Sequence, residues 1–320
     1  MAVGNASFDT ALLSTTLQNY QPTLVDNIFK DLVLLDHLNS NGRIMMEEGG
    51  TSIVEPVLYA VNDTVNSYSG YDSIDLTPQN GISAAQYQWK QMATSIAISG
   101  IEEAQNRGTE AIIKLLNAKI MQAEMSIKSS LNTMLFGDGA GNGGKDFNGL
   151  GNIIGTQNNT VGGINASDNT WWNPYEDSSA ATLVTTDMAK VYNNASKGSD
   201  TPDLIVTTEP LFAKYESLLV ANIRYQDVKK ANSGFQNLMF KQTPVVFDFA
   251  VPGNQSSSAK MFFINSKYLK LAGMSGHWFN TTDFQNGTVA GVDARYALIL
   301  AFGNLTASNR ARQGYLLANA

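Results

Sequence analysis

The chain contains no cysteine. Disulfides, thiolate nucleophiles and cysteine-ligated zinc sites are therefore excluded, and such a composition suits a reducing compartment. Histidine is almost as scarce: His37 and His277 are the only two in 320 residues, which makes a histidine-based zinc site improbable. No stretch approaches the roughly 20 consecutive apolar residues of a membrane span. The opening residues, MAVGNASFDT, lack the basic start and apolar centre of a secretion signal. Basic clusters are missing as well. The 21 Lys and Arg residues are scattered against 28 acids for a net charge of −7, and the nearest things to clusters are Lys229-Lys230, Lys267/Lys270 and Arg310/Arg312. Nucleic-acid binding depends on concentrated cations that displace condensed counterions, so this chain is expected to repel DNA and not to grip it.

What remains is a globular composition, 43% hydrophobic and 9% aromatic, with enough chain for one large domain or two ordinary ones. Thr51–Val61 and Ala84–Ile98 are rich in β-branched and aromatic residues and read as two strands. Between them Asn62–Ser83 is polar and could not bury a core of its own. An arm of this length has no use inside a monomer and is expected to reach a second molecule. Its Tyr68, Tyr71, Ile74 and Leu76 are the candidate inter-subunit contacts, because a solvated loop has no reason to display apolar area.

A helical stripe follows. Ile112, Leu116, Ile120, Ala123, Ile127, Leu131 and Met134 step by three or four residues, predicting one buried face on a helix over 109–135. Lys114, Lys119, Glu124 and Lys128 are expected mostly off that face, and Gly137 is a C-cap candidate. Upstream, Leu24, Ile28, Leu32, Leu35 and Leu38 line one helical face, after Pro22 and before Asn41-Gly42. Downstream, 187–197 and 209–220 read as helices. DLIVT (203–207), PVVFDF (244–249), KMFFI (260–264) and YALILAF (296–302) read as strands. This order is α+β and not a regular βαβ repeat. The Gly/Asn/Thr-rich segment 151–177 is expected to be a surface loop docked by Trp171 and Trp172.

Chemistry is hard to find. Gly139, Gly144 and Lys145 fit a phosphate-binding loop by spacing, but such loops precede a helix whose positive end faces the phosphate. Here the glycines follow a helix, at its negative end, and Asp146 stands where a magnesium-binding Ser or Thr would be. A tight turn is the better reading. The acid pairs Glu47-Glu48 and Glu102-Glu103 adjoin a glycine or a helix start. Asp72 and Asp75 read as solvated turn residues, and both histidines as packed or hydrogen-bonded. No catalytic, cofactor or metal residue is assigned.

Six segments, in collinear order, resemble one family. They are SYSGYDSIDLTPQNGISAAQYQWKQ (67–91), DGAGNGGK (138–145), TPDLIVT (201–207), LMFKQTPVVFD (238–248), FFINSKYLKL (262–271) and GNLTASNRARQG (303–314). The chain is thereby similar to the major capsid proteins of tailed bacteriophages, which have the Hong Kong 97-type fold. The resemblance implies an N-terminal arm (1–50) that crosses to a neighbour and an extended loop, or E-loop, on a hairpin (51–99). It implies a peripheral domain (100–147 and 259–303) built on a spine helix, and an axial domain (148–258 and 304–320). It also implies a non-enzymatic subunit made in a bacterial cytoplasm and assembled into pentamers and hexamers of a virion shell that encloses double-stranded DNA without specific binding. A separate scaffolding protein, a portal and possible cement proteins would be its partners. Some relatives join subunits through lysine and asparagine, but Lys90 stands in a strand and not at the loop tip, so that chemistry is not carried over. Two other readings stay open from the residues: an encapsulin-type shell around enzyme cargo, and a hydrolase whose Ser, His and carboxylate meet only in space.

Overall fold

The computed structural model describes residues 32–105, 109–178, 182–219, 237–253, 259–286 and 293–319, with 109–114 described by their backbone alone. Leu24, Ile28, Ile112, Pro22 and Lys229-Lys230 therefore lie outside what is described of side chains. From Leu32 onward the N-terminal segment is part of the body. Helix α1 (Val33–Ser40) buries Val33, Leu34, Leu35 and Leu38 in the main core. Strand β1 (Ile44–Glu47) then lies parallel to β12 (Leu269–Met274). An arm over the whole of 1–50 is thus corrected for 32–47. The stripe Leu32-Leu35-Leu38 is satisfied within its own subunit.

The hairpin is shorter than the sequence suggested. Strand β2 (Ile53–Leu58) pairs antiparallel with β3 (Ile82–Tyr87), and a break at Gln88-Trp89 separates these from β4 (Lys90–Ser99). Strand β4 leaves the hairpin and runs ten residues along β15 (Ala294–Ala307), from Ser99 opposite Ala294 to Lys90 opposite Gly303. The other edge of β15 pairs in turn with β12, β13 (Asn280–Thr281) and β14 (Gln285–Asn286). These strands and β1 make the first six-stranded sheet.

Helix α2 (Gly100–Gln105) leads into α3 (Thr109–Phe136), 28 residues and about 42 Å long. The stripe holds: Leu116, Ile120, Ala123, Ile127 and Leu131 are buried and Met134 is half-buried. Glu124, expected off that face, is buried too, with its carboxylate 2.9 Å from Lys128 one turn on. Beyond the helix, Gly137 donates its amide to the Thr133 and Met134 carbonyls. A Cβ at Gly149 or Gly151 would collide with the Gly137 backbone, so glycines let the short helix α4 (Leu150–Ile153) abut the end of α3.

The second sheet runs β7 (Tyr175–Asp177), β16 (Gly314–Ala318), β11 (Ala259–Ile264), β8 (Leu204–Thr207), β10 (Thr243–Phe247), β9 (Asn237–Phe240). Alternating residues sort to its two faces. Ile205, Val245, Phe263 and Leu316 pack with Leu183, Met188, Val191, Leu211 and Phe212 of the segment that carries α5 (Thr185–Ala195) and α6 (Glu209–Leu218). Leu204, Val206, Phe262 and Ile264 join the main core, where Phe262 meets Phe136 at the end of α3 with ring centroids 6.4 Å apart. The boundary expected at 258/259 does not follow these sheets. Strand β11 lies between β8 and β16 in the second sheet, and the chain crosses to the first one only through Asn265–Tyr268. KMFFI carries no mark of which sheet it will join, because apolar residues serve both of its faces.

Candidate assembly surface

The base of the hairpin is clamped to the body. Strand β2 alternates buried Ile53, Glu55 and Val57 with outward Val54, Pro56 and Leu58. The buried Glu55 carboxylate sits 2.7 Å from Lys270 Nζ and accepts from the Thr306 hydroxyl at 3.1 Å. Lys270 also reaches Glu47 at 2.8 Å. Burial pushes the Lys270 ammonium down, but the two carboxylates outweigh it and hold its pKa above the ordinary value. On β3, the buried Tyr87 hydroxyl donates to the Ala307 carbonyl, and burial raises its pKa strongly. Trp89 Nε1 donates to the Gly50 carbonyl at 3.0 Å. The Gln86 amide donates to Gly162, a left-handed glycine where a Cβ would strike Ala85 and Tyr87. Gly162 belongs to the small hairpin of β5 (Thr160–Val161) and β6 (Ile164–Asn165). As expected, the tryptophans dock this segment. Trp172 is fully buried with Nε1 on the Val161 carbonyl, and Trp171 stacks on Tyr59 of the hairpin at 4.8 Å.

Beyond Tyr59 the loop changes character. Its own polar side chains hold it: Asn62 accepts from Thr64, Asp72 from the Ser69 amide, and Asp75 from the Thr77 amide and hydroxyl. The Thr77 hydroxyl, and then its amide, keep the Asp75 carboxyl below the usual range. Its apolar side chains face out. Tyr68 is 66%, Ile74 60% and Leu76 87% exposed, and Tyr71 is fully exposed. Val54, Leu58 and Ile82 of the hairpin strands and Val61 and Val65 of the loop are exposed as well. The sequence reading missed these five, although apolar residues on both alternations of IVEPVL were the available signal for Val54 and Leu58.

The rest of the chemistry resolves into structure. The glycine-rich turn follows α3 and carries Gly139, Asn142, Gly143 and Gly144 at positive φ. Lys90 Nζ donates to the Gly144 carbonyl. His37 lies in α1, with Nε2 3.3 Å from Asp203, and the Ser266 hydroxyl donates to that same carboxylate. The carboxylate stands between serine and histidine, so the imidazole is not placed to take the serine proton as a general base would. The three residues tie α1 to the strand ends of the second sheet. His277 stacks on Phe302 at 5.2 Å. Among the described residues no group of His, Asp and Glu is placed to hold a metal ion, and no helix is long and apolar enough to cross a membrane.

Comparison with solved structures gives the fold a family context. A subunit of the Cyanophage A-1(L) capsid asymmetric unit superposes with a TM-score of 0.68 at 14% identity, over 87% of this chain and 90% of that one. The capsid of a native GTA particle gives 0.59 at 12% identity, over 88% and 90%. The capsid of Myoviridae phage XM1 gives 0.55 at 12% identity, over 87% and 90%. No protein-family model and no curated protein matches the chain. The α+β architecture is the Hong Kong 97-type fold seen in these capsids.

Proposed function

We propose that this chain is a major capsid protein of a tailed bacteriophage, a non-enzymatic subunit that assembles into a closed shell around double-stranded DNA. The observation that carries the reading is the loop: a rigidly clamped hairpin that holds Tyr68, Tyr71, Ile74 and Leu76 out in solvent, on a fold seen in capsids. Burying those side chains on a neighbour would contribute about 1–3 kcal/mol each, and a shell repeats the contact at every subunit.

In this reading the first sheet and α3 form the peripheral domain, and the second sheet with α5 and α6 forms the axial domain that meets its neighbours at a capsomer centre. A scaffolding protein, a portal and possible cement proteins would complete the particle, made in the bacterial cytoplasm and retained in the virion. With a net charge of −7, the wall would confine the genome electrostatically without binding it.

The experiment is electron microscopy of the protein produced with and without a co-expressed scaffolding protein. Closed shells of uniform size support the reading. A monomer under all conditions, with micromolar DNA affinity or hydrolase turnover, would replace it. An enzyme-cargo gene in place of portal and terminase neighbours would favour the encapsulin alternative.

A further inference from the structure

An asparagine side chain can react with its own backbone most readily when glycine follows, since glycine puts no Cβ in the path of attack. Asn-Gly occurs at Asn41, Asn80, Asn142, Asn148 and Asn286, and the structure treats these pairs differently. Asn41 is exposed but tethered. Its Nδ2 lies 3.1 Å from both His37 Nε2 and the Ser266 hydroxyl, and the Gly42 amide donates to the Asn39 carbonyl. Asn148 is held through Gly149, which is buried where α4 abuts the Gly137 backbone. Asn142 is exposed in the glycine-rich turn, with no side-chain donor at its carbonyl among the described residues. Asn286 is followed by a glycine outside the described residues.

At Asn80–Gly81 the reacting groups are exposed and the peptide between them is polarised. Asn80 lies in solvent, and its side chain makes no hydrogen bond among the described residues. Its backbone carbonyl accepts from the Tyr59 hydroxyl at 2.7 Å, and stacking on Trp171 at 4.8 Å keeps that phenol in place. The Gly81 carbonyl accepts from the Tyr59 and Ala60 amides at 3.0 and 3.5 Å. Residue 81 is thereby anchored, while its own amide donates to no backbone carbonyl among the described residues. Only glycine fits there, because a Cβ would stand 2.7 Å from the Ala60 carbonyl oxygen.

The nucleophile in this chemistry is the Gly81 nitrogen. As its proton leaves, peptide resonance spreads the negative charge onto the Asn80 carbonyl oxygen. That oxygen is the atom the Tyr59 hydroxyl already faces, so the donor favours the reactive form, and the anchored glycine narrows the search for attack. We propose that Asn80–Gly81 modifies itself, assisted by Tyr59, to a mixture of isoaspartate and aspartate. The Gly81 nitrogen bonds to Asn80 Cγ and the Cγ–Nδ2 bond breaks. Nδ2 departs as ammonia with the proton that Gly81 lost. Water then opens the cyclic succinimide at either carbonyl. Both products add a carboxylate to a stretch with no Lys or Arg between Arg43 and Lys90. Isoaspartate also lengthens the backbone just before β3, so the loop root changes as the protein ages.

Trypsin places each Asn-Gly pair on its own peptide, 31–43, 44–90, 129–145, 146–190 and 271–295. Native protein is aged at neutral pH and the peptides are followed by mass spectrometry, with isoaspartate localised by fragmentation and scored by enzymatic methylation. The 44–90 peptide is expected to convert first at Asn80, and 31–43 and 146–190 to keep their amides. Tyr59→Phe retains the ring on Trp171 and should slow conversion at Asn80 about tenfold, leaving the 129–145 peptide unchanged. Ageing in urea should erase the differences among the pairs. Conversion at Asn80 no faster than at Asn142, or at an unchanged rate in Tyr59→Phe, would overturn the proposal.

Discussion

The Tyr87 hydroxyl donates to the Ala307 carbonyl at 2.9 Å and accepts from the amide of that same residue at 3.2 Å. Ala307 lies opposite Leu269 in the sheet, while Ser308 next to it donates across to Tyr268. The Ala307 backbone groups consequently point away from β12, and one phenol satisfies both where a further strand would otherwise be needed. This pins the hairpin to the end of β15, so the long loop projects from a fixed root.

Tyr87→Phe keeps the ring and orphans two buried backbone groups. The expected cost is about 1–3 kcal/mol, read as a lower denaturant midpoint at unchanged slope. The variant should still fold, and its assembled shells should be more fragile, because the loop root gains freedom.

The Glu47–Lys270–Glu55 cluster ties β1, β12 and β2 together. Lys270→Met strips a buried carboxylate of its cation and is expected to cost about 3–5 kcal/mol. The pH dependence has a definite sign. The folded pKa of Lys270 is raised above 10.5, so its stabilisation is complete below that value and fades as pH rises through the folded pKa. Alkaline melts should therefore bring wild type and variant together, while neutral melts separate them.

At Asp203 the sign is opposite. Burial pushes its carboxyl up, but hydrogen bonds from His37 and Ser266 outweigh it and leave the pKa below 3.8. The stabilisation is present above the ordinary carboxylate value and is lost as pH falls through the lower folded one. Asp203→Asn should destabilise at neutral pH by about 1–3 kcal/mol, and the gap to wild type should close below pH 3.8. A gap that persists in acid would assign the cost to packing and not to charge.

Ile120→Asp places a charge on the fully buried face of α3, at a cost of several kcal/mol. Insoluble or unfolded subunit is expected. A soluble, normally assembling variant would contradict the assignment of that face.

Local periodicity made much of this legible. The stripe from Leu116 to Leu131 and the buried strand at 204–207 lie where spacing and β-branching place them. Long-range contacts set what was missed. Nothing in AAQYQWKQMATSIAI marks a break, which instead falls where Asn304 Nδ2 donates to the Gln88 carbonyl and Trp89 reaches back to Gly50. Arg310 looked like half of a basic pair. It is fully buried against Trp172, with its guanidinium on the Ile153 and Thr156 carbonyls and the Asn159 side chain, and burial pushes its pKa down to about 10. The loop was the most legible part of the candidate surface, because apolar residues in a polar segment without a core of its own need a partner elsewhere.

The most direct test of the account replaces Val65–Asn80 with a short Gly-Ser turn and compares the product with wild type by electron microscopy, after expression with the scaffold. The account predicts a folded monomer with native-like circular dichroism and a cooperative melt, and with closed shells absent or fragile. Closed shells of normal stability from the shortened chain, or a chain unable to fold as a monomer, would contradict it.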